Sequence, residues 1–215
     1  MKRYTIGVIG DVHLTARKRK LTVALGRRLI DENYRIVSGG PEDLARALAE
    51  GARSSARYHE GDLVAVLPGF DPSEAEGYSD ITIATGIDLA RNLIVANSDA
   101  VVAMGGGAGT LSEIAFAWTL KRLILAYRVD GWSGRLAGVR IDSRRRYPGL
   151  RDDRVIPVEN ADDVVRHLKE LLPKYNRRHT GIKVRGGAIE EVARAKNEMN
   201  LDIKLKTVDE ILKET

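Results

Sequence analysis

The stretch Ala100-Val101-Val102-Ala103-Met104-Gly105-Gly106-Gly107-Ala108-Gly109-Thr110-Leu111-Ser112-Glu113 decides how the rest of the chain is read. Five apolar residues give a buried strand, the glycines break it, and a helical pattern follows. At such a junction the amides of the helix's first turn have no partner inside the helix. The aligned peptide dipoles add partial positive charge there, which favours a phosphate. Glycine lets that phosphate approach the main chain, because no Cβ stands in its way. Gly105, Gly106, Gly107, Gly109 and Thr110 are therefore the candidate phosphate cradle, with Thr110 adding a hydroxyl donor. Glu113, one helical turn on, points a carboxylate toward the same mouth. Thr110 with Glu113 also fits a plain capping box, and a glycine cluster also serves a tight turn. No Gly-Lys-Ser/Thr follows, so this is not a P-loop. The loop lies mid-chain and the next strand is followed by Arg128 rather than an acid, which departs from the usual dinucleotide fingerprint.

Outward from this run, short apolar segments alternate with amphipathic helical ones, the pattern of a Rossmann-like, doubly wound α/β fold with a mainly parallel sheet and helices on both faces. Strands are expected at residues 4–9, 35–38, 63–67, 81–84, 101–104, 123–127 and 155–158. Leu21, Ala24, Leu25 and Leu29 make one helical stripe, and Leu44, Ala45, Leu48 and Ala52 a second, with Pro41 suited to the start of that second helix. Further helices are expected at 87–96, 110–120 and 162–172. Residues 1–173 read as one nucleotide-binding domain. From Lys174 the chain turns polar and basic, so 174–215 read as a linker and a small C-terminal α/β appendage, with strands at 182–184 and 203–205 and helices at 188–200 and 208–213.

Composition narrows the function classes. The 215 residues include no cysteine, which removes disulfides, thiolate catalysis and cysteine metal sites, and no glutamine, while 30% are charged, a balance that suits a heat-adapted organism. No apolar run approaches the roughly 18 residues of a membrane span, and no signal peptide is evident, so a cytoplasmic protein is expected. His13, His59, His167 and His179 lack metal-ligand spacing, and no metal is assigned. The net charge of +5 suits an anionic ligand. The basic runs Arg17-Lys18-Arg19-Lys20 and Arg144-Arg145-Arg146 have no interleaved aromatics, so they read as solvated surface rather than a nucleic-acid site. Trp118 falls on an apolar helix face and reads as core or dimer contact; Trp132 falls in a loop on the ligand edge.

In doubly wound sheets, ligands bind beyond the carboxyl ends of strands, where strand order reverses. That rule gathers the loops after the first, second and fifth strands, so Gly10, Asp11, Gly39 and Gly40 join the cradle as its rim, with Asp11 also suited to capping its own turn. Ile6-Gly7-Val8-Ile9-Gly10, Ser38-Gly39-Gly40, Val66-Leu67-Pro68, Ala90-Arg91-Asn92, Ser98-Asp99-Ala100 and the glycine run ending at Glu113 together resemble the Lonely Guy and lysine-decarboxylase-like (SLOG) superfamily. The likeness is to the branch related to molybdenum-cofactor carrier proteins and, more distantly, to the DNA-processing protein DprA/Smf. It covers about residues 3–172 and leaves out the tail.

The resemblance implies a homodimer or larger oligomer that holds a nucleoside 5′-monophosphate, with no cofactor required. Catalytic members are phosphoribohydrolases, which cut the N-glycosidic bond to release a base and ribose 5-phosphate. Their Pro-Gly-Gly-x-Gly-Thr-x-x-Glu motif is matched except that Gly105 stands for the proline, and their Arg-Lys pair is matched at Arg91 while Asn92 replaces the lysine. The Gly-x-Met element after the second strand's glycines is not evident. Glycosidic cleavage passes through an oxocarbenium-like state, so Glu113 is the candidate carboxylate for stabilising charge and orienting water, and Arg91 the candidate clamp on phosphate or ribose. The same two side chains also suit an ion pair bracing two helices. Three functions stay open: binding, with or without hydrolysis, of a purine nucleoside 5′-monophosphate; carriage or sensing of a pterin cofactor or signalling nucleotide; and, less favoured, a nucleic-acid-associated module.

Overall fold

The computed structural model describes residues 3–40, 42–144, 146–147, 149–150 and 152–175. Pro41, Arg145 and the appendage elements expected beyond residue 175 lie outside the described residues. Seven strands, β1 (Thr5–Gly10), β2 (Arg35–Ser38), β3 (Leu63–Leu67), β4 (Ile81–Ala84), β5 (Ala100–Met104), β6 (Leu123–Tyr127) and β7 (Ile156–Val158), form one sheet in the order β4-β3-β2-β1-β5-β6-β7. Every neighbouring pair is parallel. The order reverses between β1 and β5, which pair in register from Ile6 with Ala100 to Gly10 with Met104. The loops that leave β1 and β5 are therefore forced apart to opposite sides, and a crevice opens between them.

Helices cover both faces. Because side chains alternate along a strand, Ala100, Val102 and Met104 of β5 join the core under α1 (Ala16–Asp31), α2 (Asp43–Arg53) and α6 (Ala161–Tyr175), while Val101 and Ala103 join the core on the opposite face. That second core is closed by α3 (Asn92–Ala96), α4 (Ala108–Thr119) and α5 (Trp132–Leu136). No helix among the described residues is long and apolar enough to cross a membrane.

The structure corrects several expectations. The helix expected at 87–96 is a 3₁₀ turn, Asp88–Arg91, leading into the short α3. Asp88 has φ 51° and its N–H donates to the Pro68 carbonyl at 3.1 Å, so the chain is turned at that point before a helix can propagate. The loop expected around Trp132 contains α5. The helix expected to end at 172 runs through Pro173 to Tyr175, so Lys174 and Tyr175 are helical rather than linker. Its last turn is anchored by the buried Tyr175, whose ring meets Tyr147 edge-on at 5.2 Å and whose hydroxyl donates to Asp153.

Both basic runs contribute to the interior. Arg146 is 5% exposed: it forks onto Asp153, donates to the Arg122 carbonyl at 2.9 Å and lies 3.6 Å above the Trp118 ring. Trp118 is thus a core residue, stacked under a paired cation. Lys18 is buried as well, against Asp11 and the Asp130 carbonyl.

The closest packing on the first face joins α1 to α2 through glycines. A Cβ on Gly26 would lie 2.3 Å from the Leu48 carbonyl oxygen, and one on Gly51 would lie 1.9 Å from that of Val23. Backbone cannot yield there as a side-chain tip would. Gly51→Ala is expected to lower the free energy of urea unfolding by about 1–3 kcal/mol through overpacking. Gly149→Ala, which adds a methyl group to open space, is expected to change it by less than about 0.5 kcal/mol.

Candidate active site

The loop from β5 to α4 is fastened from two sides. Gly105 and Gly106 have φ of 70° and 91°, and a Cβ on either would lie 2.2 Å from the Asp11 carboxylate or 2.1 Å from Thr110 Oγ1 respectively, so only glycine fits. On one side Gly106 N–H donates to Asp11 Oδ1 at 2.7 Å, and the other Asp11 oxygen accepts from the Lys18 ammonium. On the other side Gly105 N–H donates to Ser133 Oγ at 2.7 Å, while Ser133 and Trp132 N–H groups donate back to the Gly105 and Gly106 carbonyls. The amides of Gly105 and Gly106, expected to meet a phosphate, are directed instead into the protein.

What faces outward is the start of α4. Its N-cap is Gly107, which has no side chain to close the first-turn amides. The capping-box alternative fails, because Thr110 sits inside the helix with its hydroxyl donating to the Gly10 carbonyl at 3.1 Å, and Glu113 turns to Arg91. A cavity of about 330 Å³ lies over this helix start. Gly10, Gly39, Arg91, Gly107, Gly109, Thr110 and Glu113, seven of the sequence-derived site residues, line it. Gly40 lies beside it, its hypothetical Cβ 3.8 Å from Arg91 Nη2, whereas Asp11, Gly105 and Gly106 lie behind the wall.

Arg91 ends the 3₁₀ turn, and its guanidinium packs against Gly39, where a Cβ would be 1.7 Å from Nη1. Among the described residues it has one partner, Glu113 Oε1 at 3.5 Å, and its Nε is buried with no acceptor. A guanidinium with five donors and a single long contact has capacity left for a ligand. Asn92, in the place of the resemblance's lysine, is buried and donates to Ser112 Oγ at 3.1 Å, extending the bracing between α3 and α4.

The sequence reading missed Glu42. It precedes α2 without capping it, lines the cavity, and is held above the usual carboxylate range, chiefly by burial. Its signal was an acid at a helix start two residues after Ser38-Gly39-Gly40. Glu113, 6% exposed, is pushed up to about 7 by burial, with Arg91 opposing the shift and the Glu42 charge adding to it. Among the described residues no group of three or more histidine or acidic side chains is placed to hold a metal.

A family model, the SLOG cluster4 family, matches residues 3–161, about three quarters of the chain. The chain belongs to the SLOG cluster4 family. An uncharacterized protein of Archaeoglobus fulgidus is 36% identical over 118 residues, spanning 54% of this chain and 75% of that protein. Among solved structures, the molybdenum cofactor binding protein of Rippkaea orientalis is 26% identical with a TM-score of 0.64, covering 80% of this chain and 99% of that one. The molybdenum cofactor carrier protein of Chlamydomonas reinhardtii shares the fold at 22% identity and a TM-score of 0.62, over 80% and 99% of the two chains. DNA processing protein A of Helicobacter pylori shares it at 16% and 0.52, over 78% and 80%.

The position of Glu113 has a measurable consequence. An acid whose folded pKa lies near 7, against 4.5 ordinarily, binds more protons folded than unfolded between those values, so stability is lost as pH rises through that window, by up to about 3 kcal/mol. Glu113→Gln removes this slope. Urea unfolding at pH 5 and pH 8 is expected to show the variant gaining on the parent protein at the higher pH.

Proposed function

We propose that this SLOG cluster4 protein binds a purine nucleoside 5′-monophosphate, with the phosphate on the uncapped start of α4 and on Arg91, and the sugar and base toward Glu113 and Glu42. The observation that carries the reading is the nearly buried Arg91 guanidinium, whose Nε has no partner among the described residues, beside first-turn amides that no described side chain closes. A dianionic phosphate satisfies both at once. The cavity volume of about 330 Å³ lies at the small end of the range for small-molecule pockets.

The finer reading is hydrolysis of the N-glycosidic bond. Water adds to the anomeric carbon, the bond to the base breaks, and the base leaves with a proton, giving ribose 5-phosphate. Glu113 as a carboxylate opposes the positive charge that grows on the sugar, and a pKa near 7 keeps both of its protonation states accessible at neutral pH. A second reading, carriage of a pterin phosphate without turnover, is favoured by the 26% identity to the Rippkaea protein and by Asn92 in place of lysine.

Incubation with AMP, GMP and CMP, with free base measured by chromatography, tests both. On the hydrolytic reading a purine monophosphate yields base, and Glu113→Gln lowers the rate at least a hundredfold while the nucleotide still raises the melting temperature. Arg91→Ala weakens binding at least tenfold. Stabilisation by a pterin phosphate with no base from any nucleotide selects the carrier reading, and no stabilisation by either sinks both.

We also propose that a second copy of the chain covers the face of α3 and α4 beside this cavity. Leu89, Leu93, Ile94 and Phe116 are exposed there, and Leu89 also lines the cavity. Sedimentation equilibrium is expected to give a dimer or higher multiple, and Leu93→Glu combined with Ile94→Lys is expected to give monomers.

A further inference from the structure

A second cavity, of about 580 Å³, opens between the first turn of α1 and the segment that joins β6 to α5. Arg17 and Lys18 line it from α1, Arg128 and Arg135 from the other side, and Asp130 is the one acid in its wall. The four cations differ in how far the protein neutralises them. Lys18 is held by Asp11, and Arg128 shares a 3.4 Å pair with Glu159. Among the described residues no carboxylate lies within ion-pair distance of Arg17 or Arg135; the Arg135 guanidinium has only the Trp132 ring, 5.1 Å from its centroid.

Unpaired guanidiniums on two walls of one cavity repel each other across less water than open surface provides, and an anion between them removes that repulsion. The planar donor fork of arginine matches phosphate oxygens two at a time, which a lysine ammonium does not. Arg17 stands on α1 and Arg135 on α5, so an ion with two phosphate groups can offer one to each wall. We infer that this cavity is a second anion site, which takes a small molecule carrying two or more phosphate groups, one for Arg17 and one for Arg135.

The site is separate from the amide-lined one. Gly131, in its wall, packs against the back of the glycine loop, where a Cβ would lie 2.6 Å from the Gly105 carbonyl carbon. Neither Arg91 nor the start of α4 contributes to the lining.

Isothermal titration of the full chain with sodium pyrophosphate, at fixed ionic strength, tests the inference. Pyrophosphate is expected to bind at least tenfold more tightly than inorganic phosphate. Arg17→Ser with Arg135→Ser is expected to weaken it at least tenfold, and Arg91→Ala to leave it within twofold. Arg17→Lys with Arg135→Lys, which keeps the charges and removes the forks, should lie between, and carries the comparison should the serine pair fail to fold. Absence of pyrophosphate binding, equal affinity in the double variants, or a loss confined to Arg91→Ala overturns the assignment.

Discussion

The carboxylate of Asp11, which takes the Gly106 amide on one oxygen and the Lys18 ammonium on the other, is the contact on which the rest of the ligand edge depends. It ties the end of β1 to the loop after β5 and, through Lys18, to α1 and the Asp130 carbonyl. Two consecutive residues with positive φ make a sharp turn, and a turn of bare glycine has little to hold it in one shape. Asp11 and Ser133 supply that hold from opposite sides. Because Gly105 and Gly106 are pulled inward, Gly107 becomes the residue from which α4 starts, and its first-turn amides are left facing the crevice. The anion-attracting element is thus created by an acid that never touches the cavity.

Most of the fold was legible because its central strands, β5 and β6 above all, are buried on both sides and its apolar runs are bounded by polar or glycine punctuation, which leaves little choice of register. β2, β3, β4 and β6 fall where the apolar runs fall, and β5 begins one residue earlier. The crevice was legible for the same reason, since strand order alone sends the loops of β1, β2 and β5 to one edge. Tertiary contacts defeated the rest. Nothing local announces that Asp88 will be turned back by the Pro68 carbonyl, or that Thr110 will prefer the Gly10 carbonyl, a hundred residues earlier, to its own helix end. The surface reading of the basic runs holds for Arg17, Arg19, Lys20 and Arg144, which are exposed, and fails at Lys18 and Arg146, because charge in sequence says nothing of a partner distant in sequence: Arg146 finds Asp153, and Lys18 finds Asp11. With Lys18 and Arg146 withdrawn, each run offers less to a nucleic-acid backbone than its composition promised.

The amide-lined cavity sets charges in an unusual balance. Its side chains bring two carboxyls, Glu42 and Glu113, against one guanidinium, so their charge alone would repel a phosphate once both acids ionise. What would attract an anion there is the set of backbone dipoles, which do not titrate, and Arg91, whose one contact among the described residues is long. Burial holds both acids toward their neutral forms, and a negative charge placed beside them would raise their pKa values further, so anion binding there would be coupled to proton uptake.

That balance sets a limit on ligand charge. One phosphate matches the one helix start and the one guanidinium; a second phosphate would have to lie among the carboxyls, where each added negative charge is opposed. The body of the ligand, facing Glu42 and Glu113, is better uncharged and rich in hydroxyl or amino donors, as a nucleoside or a pterin is. The arginine-lined cavity has the reverse character, with unpaired cations and no cluster of acids. The two concavities on this edge of the sheet therefore differ in charge, one setting a helix start and a single guanidinium against two carboxyls and the other holding unpaired cations beside one acid.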